Sequence, residues 1–284
     1  MYVTVDIGGT NVVAALCTPQ GAVVGTLHRH PTRSELPAQV HLDYLSQIIL
    51  TCVQESPEPV EAALIGFPSK LMDGKMVPCD NLPNLGNCLL EQEFSQRLQL
   101  PVFLAPDAIC FAAGVYATHP KAQEARNLLA ITLGTGVGVA LILEGKPYLG
   151  RGLSGEIWKA PLHGAQLEDF VSAGGIRRQY LNATGQHLSV AEIAQLAKDG
   201  EPAAIQSFES FGENLGVLLC YCVGLLDPDC ICLGGGISQG YPLFERDMRR
   251  LLATHSLAGD LPIFCCNEVD TTPLLGVLWL YHNQ

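Results

Sequence analysis

Three glycine clusters and one strand-end carboxylate are the first residues in this chain whose types and spacing could do chemistry. Asp6-Ile7-Gly8-Gly9-Thr10-Asn11, Leu133-Gly134-Thr135-Gly136 and Leu233-Gly234-Gly235-Gly236 each close an apolar run that reads as a strand. At a strand end, a glycine turn can bring backbone N–H groups close to a phosphate, because no Cβ holds the ligand away. Thr10 and Thr135 add hydroxyl donors, and Asp6 stands where a carboxylate can orient Mg2+ or its bound waters. A single such turn signals little, since most bind nothing; three at strand ends point to a phosphate-bearing ligand. The P-loop spacing GxxxxGK[ST] is absent and the first cluster does not fit GxGxxG, which argues against P-loop and dinucleotide folds.

The elements that must carry these turns repeat. Residues 3–16 (VTVDIGGTNVVAAL) and 129–142 (LAITLGTGVGVALI) share one pattern: an alternating apolar strand, a glycine turn and a second apolar strand. Asp6 and Thr132 then occupy equivalent places. Two halves that each open with such a hairpin predict duplicated α/β lobes. Further strands are expected over 60–67, 101–104, 229–233 and 262–265, and helices over 91–98, 208–226, 241–254 and 273–281. Asp107 is expected as the N-cap acceptor of a helix DAICFAAGVYA, and Ser189 to Glu192 reads as a capping box.

With 284 residues, 48% of them hydrophobic and 15% charged, the chain can bury a sizeable core. A formal net charge of −12 argues against non-specific nucleic-acid binding. The N-terminus lacks a signal-like pattern, and the longest apolar run, Leu215 to Leu226, is too short for a bilayer. The 11 cysteines show no zinc-type spacing and read as small reduced core residues, so a cytoplasmic protein without membrane attachment is expected.

Asp6 to Asn11 resembles the first phosphate motif of the ROK family of repressors, open reading frames and sugar kinases, within the actin, Hsp70 and hexokinase superfamily. Leu133 to Gly138 resembles its second phosphate motif, Leu226-Asp227-Pro228-Asp229 with Leu233 to Ile237 its adenosine segment, and Asn81 to Leu85 its PNL segment; Leu274-Leu275-Gly276-Val277 also fits. The resemblance implies an α/β, two-lobe actin-like ATPase fold (ribonuclease H-like), with duplicated mixed-sheet domains and a central cleft. The expected lobes are 1–110 and 111–284, with packing of the terminal helix back onto the first lobe left open. It implies ATP and Mg2+ as reaction partners, a free hexose or N-acetylhexosamine as substrate, a homodimer, and Asp107 as general base. The implied phosphate contacts are Asp6, Gly8, Gly9, Thr10, Asn11, Gly134, Thr135, Gly136, Gly235 and Gly236; the implied sugar contacts are Asn84, Glu156, Lys159 and Glu168.

The chain also departs from the family. The interval Ile157 to Leu167, where relatives carry a zinc site, has no cysteine and only His163, so no zinc is expected. Lys159 stands at a usual histidine and Pro106 at a usual asparagine. Two alternatives therefore stay open: a non-catalytic sugar or nucleotide sensor, and a kinase for an atypical sugar that Lys159 would face. The family's repressors carry an added N-terminal DNA-binding domain, for which a motif starting at Asp6 leaves no room.

Overall fold

The computed structural model describes residues 1–151, 153–254 and 260–283. The chain divides into two compact units, one of Met1–Gln123, Leu149–Gly152 and Asp270–Gln284, the other of Glu124–Tyr148 and Leu153–Val269.

The first unit is built on five strands: β1 (Tyr2–Ile7), β2 (Asn11–Cys17), β3 (Val23–Pro31), β4 (Ala62–Phe67) and β5 (Val102–Pro106), in the order β3-β2-β1-β4-β5. β1, β2 and β3 form an antiparallel meander, while β4 and β5 run parallel to β1. Every residue of β4 is buried, the mark of a central strand covered on both faces. Helix α1 (Ala38–Gln54) packs Leu42, Leu45 and Ile49 into a core with Val3, Val5 and Ile7. Helix α2 (Leu90–Leu98) precedes β5, and α3 (Asp107–Thr118) follows it directly.

The second unit repeats the plan. Its strands are β6 (Leu128–Leu133), β7 (Val137–Leu143), β8 (Lys146–Pro147), β9 (Cys230–Gly234) and β10 (Ile263–Cys265), in the order β8-β7-β6-β9-β10. β7 is antiparallel to β6, and β9 and β10 are parallel to it. Asp6 lies beside Gly66 of β4 as Thr132 lies beside Gly234 of β9, so the equivalence expected from the hairpin repeat holds in register. Helices α4 (Ala173–Thr184), α5 (Val190–Lys198) and α6 (Pro202–Leu226) supply Ile176, Ile193, Phe208, Leu215 and Leu218 to its core. The expected α/β class with duplicated mixed sheets is what the chain adopts.

Two expectations need correction. The segment 241–254 is not one helix: a 3-10 stretch (Gly236–Leu243) precedes α7 (Glu245–Leu252), because Pro242 has no N–H with which to continue a regular ladder. Asp107 is not an N-cap; Pro106 holds that position and Asp107 is the first helical residue. The capping box forms as read, Glu192 N–H on Ser189 Oγ and Ser189 N–H on Glu192 Oε2.

Helix α8 (Thr272–His282) lies against α3 within the first unit. A Cβ on Gly114 would stand 1.9 Å from Thr272 O, and one on Gly276 would stand 1.7 Å from Cys110 O, so the two backbones meet through glycine. This contact fixes the helix whose first residue is Asp107. Among the described residues, no helix is long and apolar enough to cross a membrane.

Candidate active site

The first glycine turn joins β1 to β2. Gly8 N–H donates to Asn11 O (2.9 Å), which closes the turn. Thr32, at the end of β3, grips it from behind: its hydroxyl donates to Gly8 O (2.6 Å) and its N–H to Thr10 O (2.9 Å). Among the described residues, the N–H groups of Gly9 and Thr10 meet no acceptor. The Gly9 backbone itself is crowded: a Cβ there would lie 2.6 Å from Asn81 Oδ1. Close approach of the Asn81 side chain, not a positive φ, is what favours glycine at this position.

Two carboxylates stand at strand ends of the same sheet, Asp6 on β1 and Asp107 just past β5, with β4 between the two strands. Asp6 is half-buried, and its Oδ1 is sealed from solvent without a hydrogen-bond donor among the described residues. Gly66, the residue beside it in β4, leaves the space: a Cβ there would touch Asp6 Oδ1 at 3.4 Å and Cys110 Sγ at 3.3 Å. Burial, followed by the charges of Asp107 and Asp270, pushes the Asp6 carboxyl up to about 7. Burial likewise raises Asp107 to about 6, and the N–H groups of Ala108 and of Asp107 itself partly offset it. The Ala108 N–H reaches Asp107 Oδ1 at 2.6 Å, which aims the carboxylate along the start of α3. A carboxylate with a pKa near neutrality is a competent general base.

The second turn, joining β6 to β7, uses different chemistry for the same end. Gly134 N–H donates to Gly136 O (3.0 Å), and Ala173 N–H grips Gly134 O from behind (2.9 Å). Glu168 accepts the Val137 N–H on Oε1 at 2.9 Å, and this oxygen fills the place where a Cβ on Gly136 would sit, 2.6 Å away. Thr135 and Gly136 are left with N–H groups that meet no acceptor among the described residues. The third cluster leans on this turn: Gly235, at φ +82, passes so close that a Cβ would lie 2.3 Å from Leu133 O. Part of the adenosine-like segment is architectural, since Asp229 Oδ2 accepts the N–H groups of Arg126 (2.9 Å) and Asn127 (2.7 Å).

The expected sugar contacts separate. Asn84 gives its amide N–H groups to the 34–36 loop, with Leu36 O at 2.9 Å, while Asn81 is the residue placed against the first glycine turn. Glu156 and Lys159 pair with each other, Nζ to Oε2 at 2.6 Å, and the ammonium also lies 4.7 Å from the centre of the Trp158 ring. The interval Ile157 to Leu167 holds a small hairpin of Pro161–Leu162 and Ala165–Gln166, with His163 (φ 50) and Gly164 (φ 82) at its tip, the conformation of a primed turn. The grip of Thr32, the placement of Asn81 against Gly9 and the Glu168 bond to Val137 are features that the sequence alone does not announce.

Comparison with known proteins follows the same lines. The ROK family profile matches residues 2–284. The chain is 28% identical over 260 residues to the N-acetylgalactosamine kinase AgaK of Shewanella sp. (strain ANA-3), covering 84% of this chain and 82% of the relative. It is 27% identical over 284 residues to the N-acetyl-D-glucosamine kinase of Photobacterium profundum, covering 91% of each. The crystal structure of a ROK family glucokinase from Streptomyces griseus in complex with glucose and AMPPNP superposes with a TM-score of 0.85 at 22% identity, over 100% of this chain and 99% of that one.

Proposed function

The chain belongs to the ROK family, and from that premise we propose that it is an ATP-dependent sugar kinase in which Asp107 accepts the proton of the attacking hydroxyl. The observation that carries this reading is the pairing, within one unit, of a half-buried carboxylate near neutral pKa at Asp107 with a glycine turn whose Gly9 and Thr10 N–H groups face no acceptor among the described residues.

In this reading the sugar oxygen attacks the γ-phosphorus as its proton passes to Asp107 Oδ1 or Oδ2. The bond from phosphorus to the β-bridging oxygen breaks, and ADP leaves. Little else is asked of the protein beyond positioning and charge stabilisation. The free N–H groups of Gly9, Thr10, Thr135 and Gly136 suit phosphate oxygens, and Gly235 and Gly236 suit the nucleoside side. Asp6, with a sealed and unpartnered oxygen, fits Mg2+ held directly or through water, an ion that takes few carboxylates and completes its shell with water and phosphate. Bound there, Mg2+ would neutralise phosphate charge. Glu156 and Glu168, to which the family resemblance points, offer carboxylate oxygens as acceptors for sugar hydroxyls.

The substrate in this reading is neutral, a hexose or an N-acetylhexosamine. An acidic or phosphorylated sugar would need a cation to face, and Lys159 already has its charge met by Glu156 and its ammonium against Trp158. The activities by which the N-acetylgalactosamine and N-acetyl-D-glucosamine kinases above are named favour the acetylated class. A cytoplasmic homodimer is part of the same reading.

The test is ADP release from Mg-ATP against a panel of free hexoses and N-acetylhexosamines, with Asp107→Asn as control. Sugar-dependent turnover that disappears in the control supports the kinase and its base. ATP binding without turnover on any sugar would favour a sensor.

A further inference from the structure

We propose that Thr32, braced by His41, is a positioning residue of the first phosphate turn, acting through the backbone of that turn. The inference rests on reading that turn as a phosphate cradle.

The argument follows the geometry of the peptide plane. In a trans peptide, the C=O of one residue and the N–H of the next point in opposite directions. Thr32 draws Gly8 O toward its hydroxyl (2.6 Å) and Thr10 O toward its N–H (2.9 Å). Holding Gly8 O on that side turns the Gly9 N–H to the opposite side, where no protein acceptor waits among the described residues. Thr32 is wholly buried, so its hydroxyl and N–H have no water to turn to in place of the turn's carbonyls.

Its own carbonyl is then anchored. His41, also wholly buried, lies 2.8 Å from Thr32 O through Nε2, which must donate because a carbonyl only accepts. That bond places the proton on Nε2 and leaves Nδ1, buried and unpartnered among the described residues, as the bare nitrogen. One turn later on α1, Tyr44 donates its hydroxyl to Pro31 O at 2.7 Å. Helix α1 thus grips residues 31 and 32 at two carbonyls, and Thr32 grips the turn at two more. A hydroxyl at Thr32 and a donor at the Nε2 position of residue 41 are the chemical requirements.

The experiment compares Thr32→Val with Thr32→Ser and His41→Leu with His41→Gln, beside Thr51→Val on the exposed face of α1. Each full-length protein is titrated with Mg-AMPPNP in a calorimeter, and steady-state constants are measured for ATP and the active sugar. Thr32→Val is expected to weaken Mg-AMPPNP binding and lower kcat/KM for ATP by about tenfold, with KM for sugar within about twofold of wild type. Thr32→Ser and Thr51→Val should stay within about threefold, and His41→Gln should recover most of what His41→Leu loses. Equal losses in Val and Ser, or a parallel rise in both KM values, would overturn the proposal. If Thr32→Val does not fold, the His41 pair decides: nucleotide-selective loss in Leu restored by Gln supports it, and equal behaviour overturns it. A wild-type protein that does not bind Mg-AMPPNP would overturn the nucleotide reading and this inference together.

Discussion

The two glycine turns are copies in plan and strangers in chemistry. Each follows the first strand of its sheet, and in each the carbonyl of the first glycine is tied from behind, by the Thr32 hydroxyl on Gly8 and by the Ala173 N–H on Gly134. The same outcome, two successive N–H groups turned outward, is reached with an uncharged buried donor in one unit and with backbone plus a carboxylate in the other. The strand ends diverge further. The first unit places Asp6 and, just past β5, Asp107 there; in the second, Thr132 takes the place of Asp6, and β10 closes on Cys265, whose thiol burial pushes up to about 11. Duplication preserved the backbone cradle, while the two strand-end carboxylates that burial raises toward neutrality, Asp6 and Asp107, stand in the first copy. Ionisable chemistry is therefore expected to fail by changes in the first unit, and turn geometry by changes in either.

The largest effect should come from Asp107→Asn. With no equivalent base at the end of β10, kcat should fall by roughly 10²–10⁴-fold while nucleotide binding persists. In the wild type, kcat/KM should fall on acidification through about 6, because the base works only when ionised and burial holds its pKa there. A flat profile down to pH 5 would remove Asp107 from that role.

Next come the glycines, where the two units can be set against each other. Gly235→Ala would drive a Cβ against the backbone of Leu133 at 2.3 Å, in a left-handed conformation, and should cost on the order of 2–4 kcal/mol in melts. Gly9→Ala meets only the Asn81 side chain, which can swing away, so its melting temperature should stay near wild type while kcat/KM drops. Similar losses of stability in both would show that the first turn is as rigid as the second.

A smaller effect tests the carboxylate in the second turn. Glu168→Gln keeps an acceptor for Val137 N–H and loses the charge, whereas Glu168→Ala loses both. A charge-assisted bond contributes about 1.5–3 kcal/mol, so Ala should lower kcat/KM by about tenfold or more and Gln by less. Equal losses would mean that the charge itself serves the substrate, and the contrast with Thr32 would then be one of function as well as of chemistry.

What the sequence made legible follows from the range of the forces involved. Glycine turns after alternating apolar strands, the hairpin repeat and the Ser189 capping box are local, and each formed where expected. Thr32 was silent because its partners Gly8 and Thr10 lie a whole strand pair away, and a threonine at a strand end carries no mark of what its hydroxyl will meet. Asn81-Leu82-Pro83-Asn84-Leu85 offers two asparagines three residues apart, and only the 3-10 turn at Pro83–Leu85 sends Asn84 to the 34–36 loop and leaves Asn81 against Gly9. The sequence points to the right helix for Asp107 but to its N-cap, and the cap falls to Pro106 because the preceding strand runs straight into the helix.

The smallest expected effect concerns stability, and its sign follows from Asp6. Its carboxyl has an ordinary value of 3.8 and is raised to about 7 in the fold, so the folded protein holds that proton more tightly than the unfolded chain. The stability this contributes is fully present below about 4 and is lost as pH rises through 7. At pH 8 the ionised group is a liability that only a bound cation or a ligand's donor would relieve. Asp6→Asn should therefore melt higher than wild type at pH 8 without Mg2+, by about 1–3 kcal/mol, and the gain should shrink toward pH 4. Thr132, its partner in the repeat, carries no charge to lose, and Thr132→Val should show no such pH dependence. A gain in Asp6→Asn that is the same at both pH values would mean that packing, not the buried charge, separates the two copies at this position.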